Sequence, residues 1–350
     1  MCVGNYSLSG QMREKKPIDR LRESALQMQI GTTDDSSSIT TMVSIGDVLY
    51  IVKEQGIYLV KLADSIDPDR LNKNIPNTQQ RLLLYGSESE LVGRTFLTAN
   101  ILLKQKNFSS TFNCERALQL SFDAMKDMVE MHEGMMSFKL AEKKEIDAFN
   151  SREQSHGALV MPAIGNVLER CKTYFQKADH ASSNLLNIVK MFYGKDVGAD
   201  GFESLAKLTT NKYGENDAFT MFVRIVAPKL QYIRNIRNSL EHPRPPSQVA
   251  NIIDFNLGVD GEISVPIMQV NYRKEKYAPV NISQFMESLV DGLSEIFEIM
   301  LAHLCSKHVQ NFSNFPVHVI ELSEERRMKE SQHVRYCYGI QLGDQIVPFG

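Results

Sequence analysis

No two of the five cysteines (Cys2, Cys114, Cys171, Cys305 and Cys337) form a C-x-x-C pair, and their number is odd. A disulfide framework and a zinc finger are disfavoured, and a reducing compartment is expected. No stretch reaches about 18 uninterrupted apolar residues, so no membrane span and no membrane partner are expected. The first residues, MCVGNYSLSGQMREKKPIDR, lack the apolar core of a secretory signal. These absences together predict a cytoplasmic protein. A large charge excess is missing too. The net charge of −3 excludes a globally basic nucleic-acid binder, so any nucleic-acid contact must come from a local patch.

The common enzyme signatures are also missing. G-x-S-x-G does not occur. HEGMM, from His132, starts like a metalloprotease signature, but Met136 stands where the second histidine belongs. Residues 194–201, GKDVGADG, have neither the order of a phosphate loop nor the acid spacing of a calcium loop. The histidines show no paired spacing that suggests metal ligation. Met125, Met128, Met131 and Met135 fall on one helical face and read as core. Neither a metal nor a cofactor is predicted.

What is present is an ordinary globular composition, 43% hydrophobic and 23% charged over 350 residues, enough for one large or two ordinary domains. Residues 1–35 are polar and without period, and read as a loosely ordered arm. Val43, Val48, Ile51, Ile57 and Val60 fall at roughly helical spacings, and a second helical stretch spans about 77–106, so residues 36–112 are expected to be a helical region. Helices are expected at 114–149, 157–177, 181–193, 202–212, 216–241 and 282–308. On the last, Met286, Val290, Leu293, Phe297, Met300 and Leu304 repeat at 4-3-4-3-4, a seam for a bundle interior or a dimer. Within about 250–270 the period changes. Ile253, Phe255 and Leu257 alternate, as do Ile263, Val265 and Ile267, with Asp260-Gly261 in the turn of a β-hairpin. Residues 311–350 read as a short β tail. The fold class expected is mainly α: a helical bundle with additional N-terminal helices, an inserted hairpin and a β-rich end.

One helix carries an anomaly at its end. Phe222, Val226, Leu230, Ile233, Ile236 and Leu240 form an apolar stripe, and Arg237 lies only about 40° from Ile233 around it. A charge there costs free energy unless it is paired or bound. Pro243 disfavours helical geometry at His242, so the helix should end near Glu241 and free the imidazole. Between Thr220 and Pro246 stand Arg224, Lys229, Arg234, Arg237 and Arg244 against the single acid Glu241, a local positive patch.

Arg237-Asn238-Ser239-Leu240-Glu241-His242 resembles the R-x4–6-H motif of the HEPN superfamily, helical-bundle proteins of prokaryotic defence and toxin systems. Asparagine commonly follows the arginine in that family. Arg326 and Arg327 precede His333 at allowed spacings, but without asparagine or an apolar helix. The resemblance covers roughly residues 113–310. It implies a metal-independent endoribonuclease that uses the ribose 2′-OH as nucleophile, in a homodimer whose two motifs face one groove, with a regulatory or antitoxin partner. Arg237, Asn238 and His242 would be catalytic. His242 would move protons and Arg237 would brace the phosphate. Lys229, Arg234 and Arg244 would contact the RNA backbone. The alternative is a non-catalytic binding module of the same type, in which Arg237 pairs with Glu241 at i+4 and His242 caps the helix.

Overall fold

The computed structural model describes residues 16–23, 29–31, 35–152, 158–312, 315–330, 333–343 and 345–349. The chain divides into two compact units, Met1–Gly86 and Ser87–Gly350. The described residues are 51% helical and 21% strand, with the strands in antiparallel sheets of two to four. The protein is therefore mixed α and β, and the expectation of a mainly α chain is corrected.

The correction falls first on the N-terminal unit. Where helices were expected, β1 (Ile39–Ile45), β2 (Val48–Lys53), β3 (Ile57–Lys61) and β4 (Thr78–Leu83) form an antiparallel meander in the order β1-β2-β3-β4. Val43, Ile51 and Val60 are all buried, but on strands joined by short turns. Those turns change the phase of the alternation, which imitates a helical period. The β-branched residues of ITTMVSI and VLYIVK decide the outcome. Gly46, at φ 56°, starts the two-residue turn that pairs Ile45 with Val48. At Gly86 a Cβ would lie 2.0 Å from the Lys53 carbonyl oxygen, so only glycine fits.

The described part of the arm is ordered too. Helix α1 (Pro17–Glu23) is held through Arg22, which reaches Asp64 Oδ1 at 2.6 Å and Asp67 Oδ2 at 2.7 Å around α2 (Ala63–Ile66). Under the sheet the Lys53 ammonium meets Asp35 Oδ1 at 3.1 Å, with both side chains at most 3% exposed. The hydroxyls of Tyr58 and Ser37 donate to the same carboxylate.

The larger unit begins with α3 (Glu90–Val92), a π turn over Gly93–Leu97 and α4 (Thr98–Leu102). Its frame is α5 (Cys114–Asn150), α6 (Val167–Tyr193), α7 (Phe202–Tyr213), α8 (Ala218–Glu241) and, after a β insert, α9 (Ile282–His308). The expected break between 177 and 181 is absent, because Ala178 and Ala181 are buried helix formers in one continuous α6. Met125, Met128, Met131 and Met135 are buried, as expected of a core stripe. The heptad-like stripe of α9, Met286 to Leu304, is at most 1% exposed at every position. It faces the bundle interior, so it does not supply a dimer surface.

The hairpin is present and longer than expected. β5 (Gln248–Ile253) pairs with β8 (Ile267–Tyr272), and β6 (Asn256–Leu257) with β7 (Ile263–Ser264), around the Asp260-Gly261 turn. β9 (Glu275–Lys276) and β10 (Val280–Asn281) both pair with β8. The tail forms a sheet β11-β12-β13 (Val317–Glu321, Tyr336–Leu342, Gln345–Phe349), with α10 (Glu324–Glu330) between its first two strands. It is fixed to the helices. The Tyr338 hydroxyl donates to the Leu102 carbonyl at 2.7 Å, and Arg335 donates to the fully buried Glu298 at 2.5 and 2.9 Å.

Candidate functional site

The site is built around the last turn of α8. Asp217 caps the helix N-terminus by accepting from the Phe219 and Thr220 amides. The apolar stripe, including Val226, Leu230, Ile233, Ile236 and Leu240, is buried. The helix stops at Glu241, as Pro243 requires, and His242 is the C-cap at φ −129° and ψ 59°. Its amide still donates to the Asn238 carbonyl at 2.9 Å. The Gln248 side-chain amide donates to the carbonyls of Asn238 and His242, at 3.0 and 2.6 Å, so it adds a second donor to the first and satisfies the second, which the helix end leaves open. Backbone hydrogen bonds in both directions between Arg244 and Gln248 close the intervening proline turn.

This arrangement brings three predicted residues together. Arg237 Nη1 donates to Asn238 Oδ1 at 3.1 Å, and Arg237 Nη2 is 2.7 Å from Glu241 Oε2. The same Glu241 oxygen is 3.9 Å from His242 Nε2. The Arg237 side chain is 27% exposed and that of His242 is 62% exposed, so the imidazole is open to an incoming molecule. Arg237 Nε is buried without a hydrogen-bond partner and lies 4.0 Å from Asp179 Oδ2 on α6.

Sequence reasoning did not find Asp179. Burial pushes its carboxyl above the usual range, and the positive charges of Arg234 and Arg237 oppose that shift. A signal existed, since Asp179 lies about 40° from the buried Phe175 around α6, the same offset that marks Arg237 from Ile233. Buried Asn235 was missed as well. It receives a hydrogen bond from Gln231 and donates to the Tyr277 hydroxyl at 3.0 Å, which ties the β insert to α8.

The three cations proposed for RNA contact are not all on one face. Arg234 is exposed and lines a small cavity with Asp179 and Ser182, next to Arg237. Arg244 is exposed just past the helix end. Lys229 is turned about 140° from Arg234. It lines a groove of about 370 Å³ between α8 and α9, with Tyr232 and Phe285. Tyr232 there packs on Tyr277 at 4.1 Å and on Phe285 at 5.8 Å between ring centroids.

Chemically, the helix end offers an exposed imidazole for proton transfer and a guanidinium held between an amide oxygen and a carboxylate. The guanidinium charge is balanced by Glu241 and Asp179, so a phosphate would have to displace Glu241 to be gripped by both Nη groups. Among the described residues no group of three or more His, Cys, Asp or Glu is placed to hold a metal ion. No described helix is long and apolar enough to cross a membrane. Four cysteines, Cys114, Cys171, Cys305 and Cys337, are buried free thiols, and burial raises the pKa of Cys171 to about 12. No family model, curated protein or solved structure matches the chain.

Proposed function

We propose that the chain is a metal-independent endoribonuclease of the kind found in prokaryotic defence and toxin systems, acting at the end of α8. The observation that supports it best is the exposed His242 imidazole beside the Arg237–Asn238 pair, where the helix stops. In this reading a ribose 2′-OH attacks its own phosphate, the bond to the 5′ oxygen breaks, and a 2′,3′-cyclic phosphate is left. His242 takes the proton from the nucleophile or gives one to the leaving oxygen. Arg237 balances the growing charge on the phosphate after leaving Glu241. Arg234 and Arg244 hold neighbouring phosphates. One chain supplies one imidazole at the motif, so the second proton transfer falls to His242 of a second copy.

The test is cleavage of RNA by wild type, Arg237→Ala and His242→Ala, with product ends analysed and folding followed by circular dichroism. Both variants should fold and lose cleavage by roughly 100-fold or more, while wild type leaves cyclic phosphate ends. Undiminished cleavage by both variants would rule the reading out. One observation favours a second reading, a binding module without catalysis: Arg237 is already paired within its own helix at 2.7 Å. That reading gives RNA binding without cleavage by wild type, and a loss of stability in Arg237→Ala.

A further inference from the structure

The turn that joins β8 to β9 is cationic. Tyr272 pairs with Glu275, so Arg273 and Lys274 form its tip, and Lys276 follows on β9. All three cations are exposed. The acid among them, Glu275, is turned inward, where it accepts from the Tyr277 hydroxyl and, at 3.4 Å, from the amide of buried Asn235. The period of two puts Lys274 and Lys276 on the opposite, outer side. Among the described residues Arg244, Arg273, Lys274 and Lys276 form no ion pair, whereas Arg237 is held by Glu241. No large hydrophobic residue is exposed between 271 and 279, so the patch suits a strand of phosphates better than a membrane surface.

Two observations tie this patch to the end of α8. The first is its place. The Arg273 amide donates to the Ser247 carbonyl at 2.6 Å, and the Ser247 hydroxyl donates to the Arg244 carbonyl at 3.3 Å. Gln248, opposite Tyr272 in the sheet, is the residue whose side chain holds the His242 carbonyl. The second observation is the backbone of Arg273. Its φ of 56° lies in the left-handed region, which glycine or asparagine enters more easily. An arginine kept there at a cost points to a use for its side chain. The guanidinium carbon lies 5.3 Å from the centre of the Tyr272 ring, a contact that orders the charge before anything binds.

We infer that the β8–β9 turn is a second phosphate-binding subsite, where Arg273, Lys274 and Lys276 carry an RNA strand onward from Arg244 and away from His242. This rests on the RNA reading of the α8 end and deepens it. Arg237 is already paired, so a phosphate that displaces Glu241 pays for the exchange, and contacts remote from the reacting phosphate supply that free energy. The test reads binding alone, so its failure and the failure of the nuclease are distinguishable.

The experiment is fluorescence anisotropy of the full chain with a short single-stranded 2′-O-methyl RNA, which has no 2′-OH to react, over a series of salt concentrations. Arg273→Gly should weaken binding and lower the slope of log affinity against log salt by about 0.7, one phosphate contact. Its thermal midpoint should equal or exceed that of wild type, because glycine relieves the left-handed backbone. Adding Lys274→Glu and Lys276→Glu should weaken binding by roughly tenfold or more and lower the slope by about 2. The control is exposed Lys195, two residues past Tyr193, which meets Tyr213 beside the first turn of α8. It stands about 36 Å from the other end of that helix, and Lys195→Glu should keep affinity within about twofold. A wild type that does not bind the oligonucleotide overturns the inference, whether or not it binds anionic vesicles. So do turn variants that bind as wild type does, or an equal loss in Lys195→Glu. A drop in the midpoint of Arg273→Gly would make the arginine structural and overturn it too.

Discussion

Glu241 holds Arg237 across one turn of α8, with 2.7 Å between carboxylate oxygen and guanidinium nitrogen, and the same oxygen stands 3.9 Å from His242. In the proposed nuclease reading, this acid occupies the guanidinium that a phosphate would need. Replacing it with an amide should free Arg237. Glu241→Gln is expected to raise RNA affinity severalfold while lowering stability by no more than about 0.5 kcal/mol, the size of an i,i+4 pair. Titration of a short RNA by fluorescence anisotropy checks this. Unchanged or weaker binding by the variant would mean that Glu241 is not competing with the phosphate.

The tail is anchored by a buried charge. Glu298 is fully buried, accepts two hydrogen bonds from Arg335, and has its other oxygen unpartnered. Arg94 is next nearest, at 3.8 Å. Removing Arg335 leaves a buried carboxylate nearly alone, which costs about 3 kcal/mol. Arg335→Ala should lower the thermal midpoint of the larger unit by several degrees. Adding Glu298→Gln should recover part of the loss, because no charge is then stranded. Equal midpoints for wild type and Arg335→Ala would show that the pair does not hold the tail.

The N-terminal unit should be sensitive to acid. Hydrogen bonds from Ser37 and Tyr58, with the Lys53 ammonium, keep the Asp35 carboxyl well below the usual range despite burial. The folded pKa is depressed, so the contribution is complete above the unfolded value of about 3.9 and is lost progressively as pH falls below that value toward the depressed folded one. Hydrogen exchange at Ile51 and Tyr58 should therefore lose protection progressively below about pH 4 in wild type. Asp35→Asn should be weaker at neutral pH by about 3 kcal/mol, with a smaller acid-dependent loss. A steeper loss in the variant would contradict this assignment.

Much of the larger unit was legible in the sequence because its helices obey their own period. The α9 limits, the stop of α8 before Pro243 and the Asp260-Gly261 turn each follow from local chemistry. The N-terminal sheet was not legible. Val43, Val48, Ile51, Ile57 and Val60 imitate a helix only because turns at 46–47 and 54–56 shift the strand phase. The seam on α9 was visible, but its direction was not. Two adjacent stripes repeat at the same spacing, and only packing shows that Met286 to Leu304 faces inward while Phe285 to Ile299 borders the groove. At the candidate site, Arg237, Asn238 and His242 were proposed from their spacing along one helix, and the structure brings them side by side. Asp179 comes from another helix, so no pattern local to the motif includes it.

The central claim, that the end of α8 cleaves RNA, is tested most directly by incubating a mixed RNA pool with wild type and with His242→Ala, with a chelator present in both. Cleavage by wild type alone is the predicted result and places the chemistry at His242 without an essential metal. Cleavage by both proteins, or by neither, would contradict it.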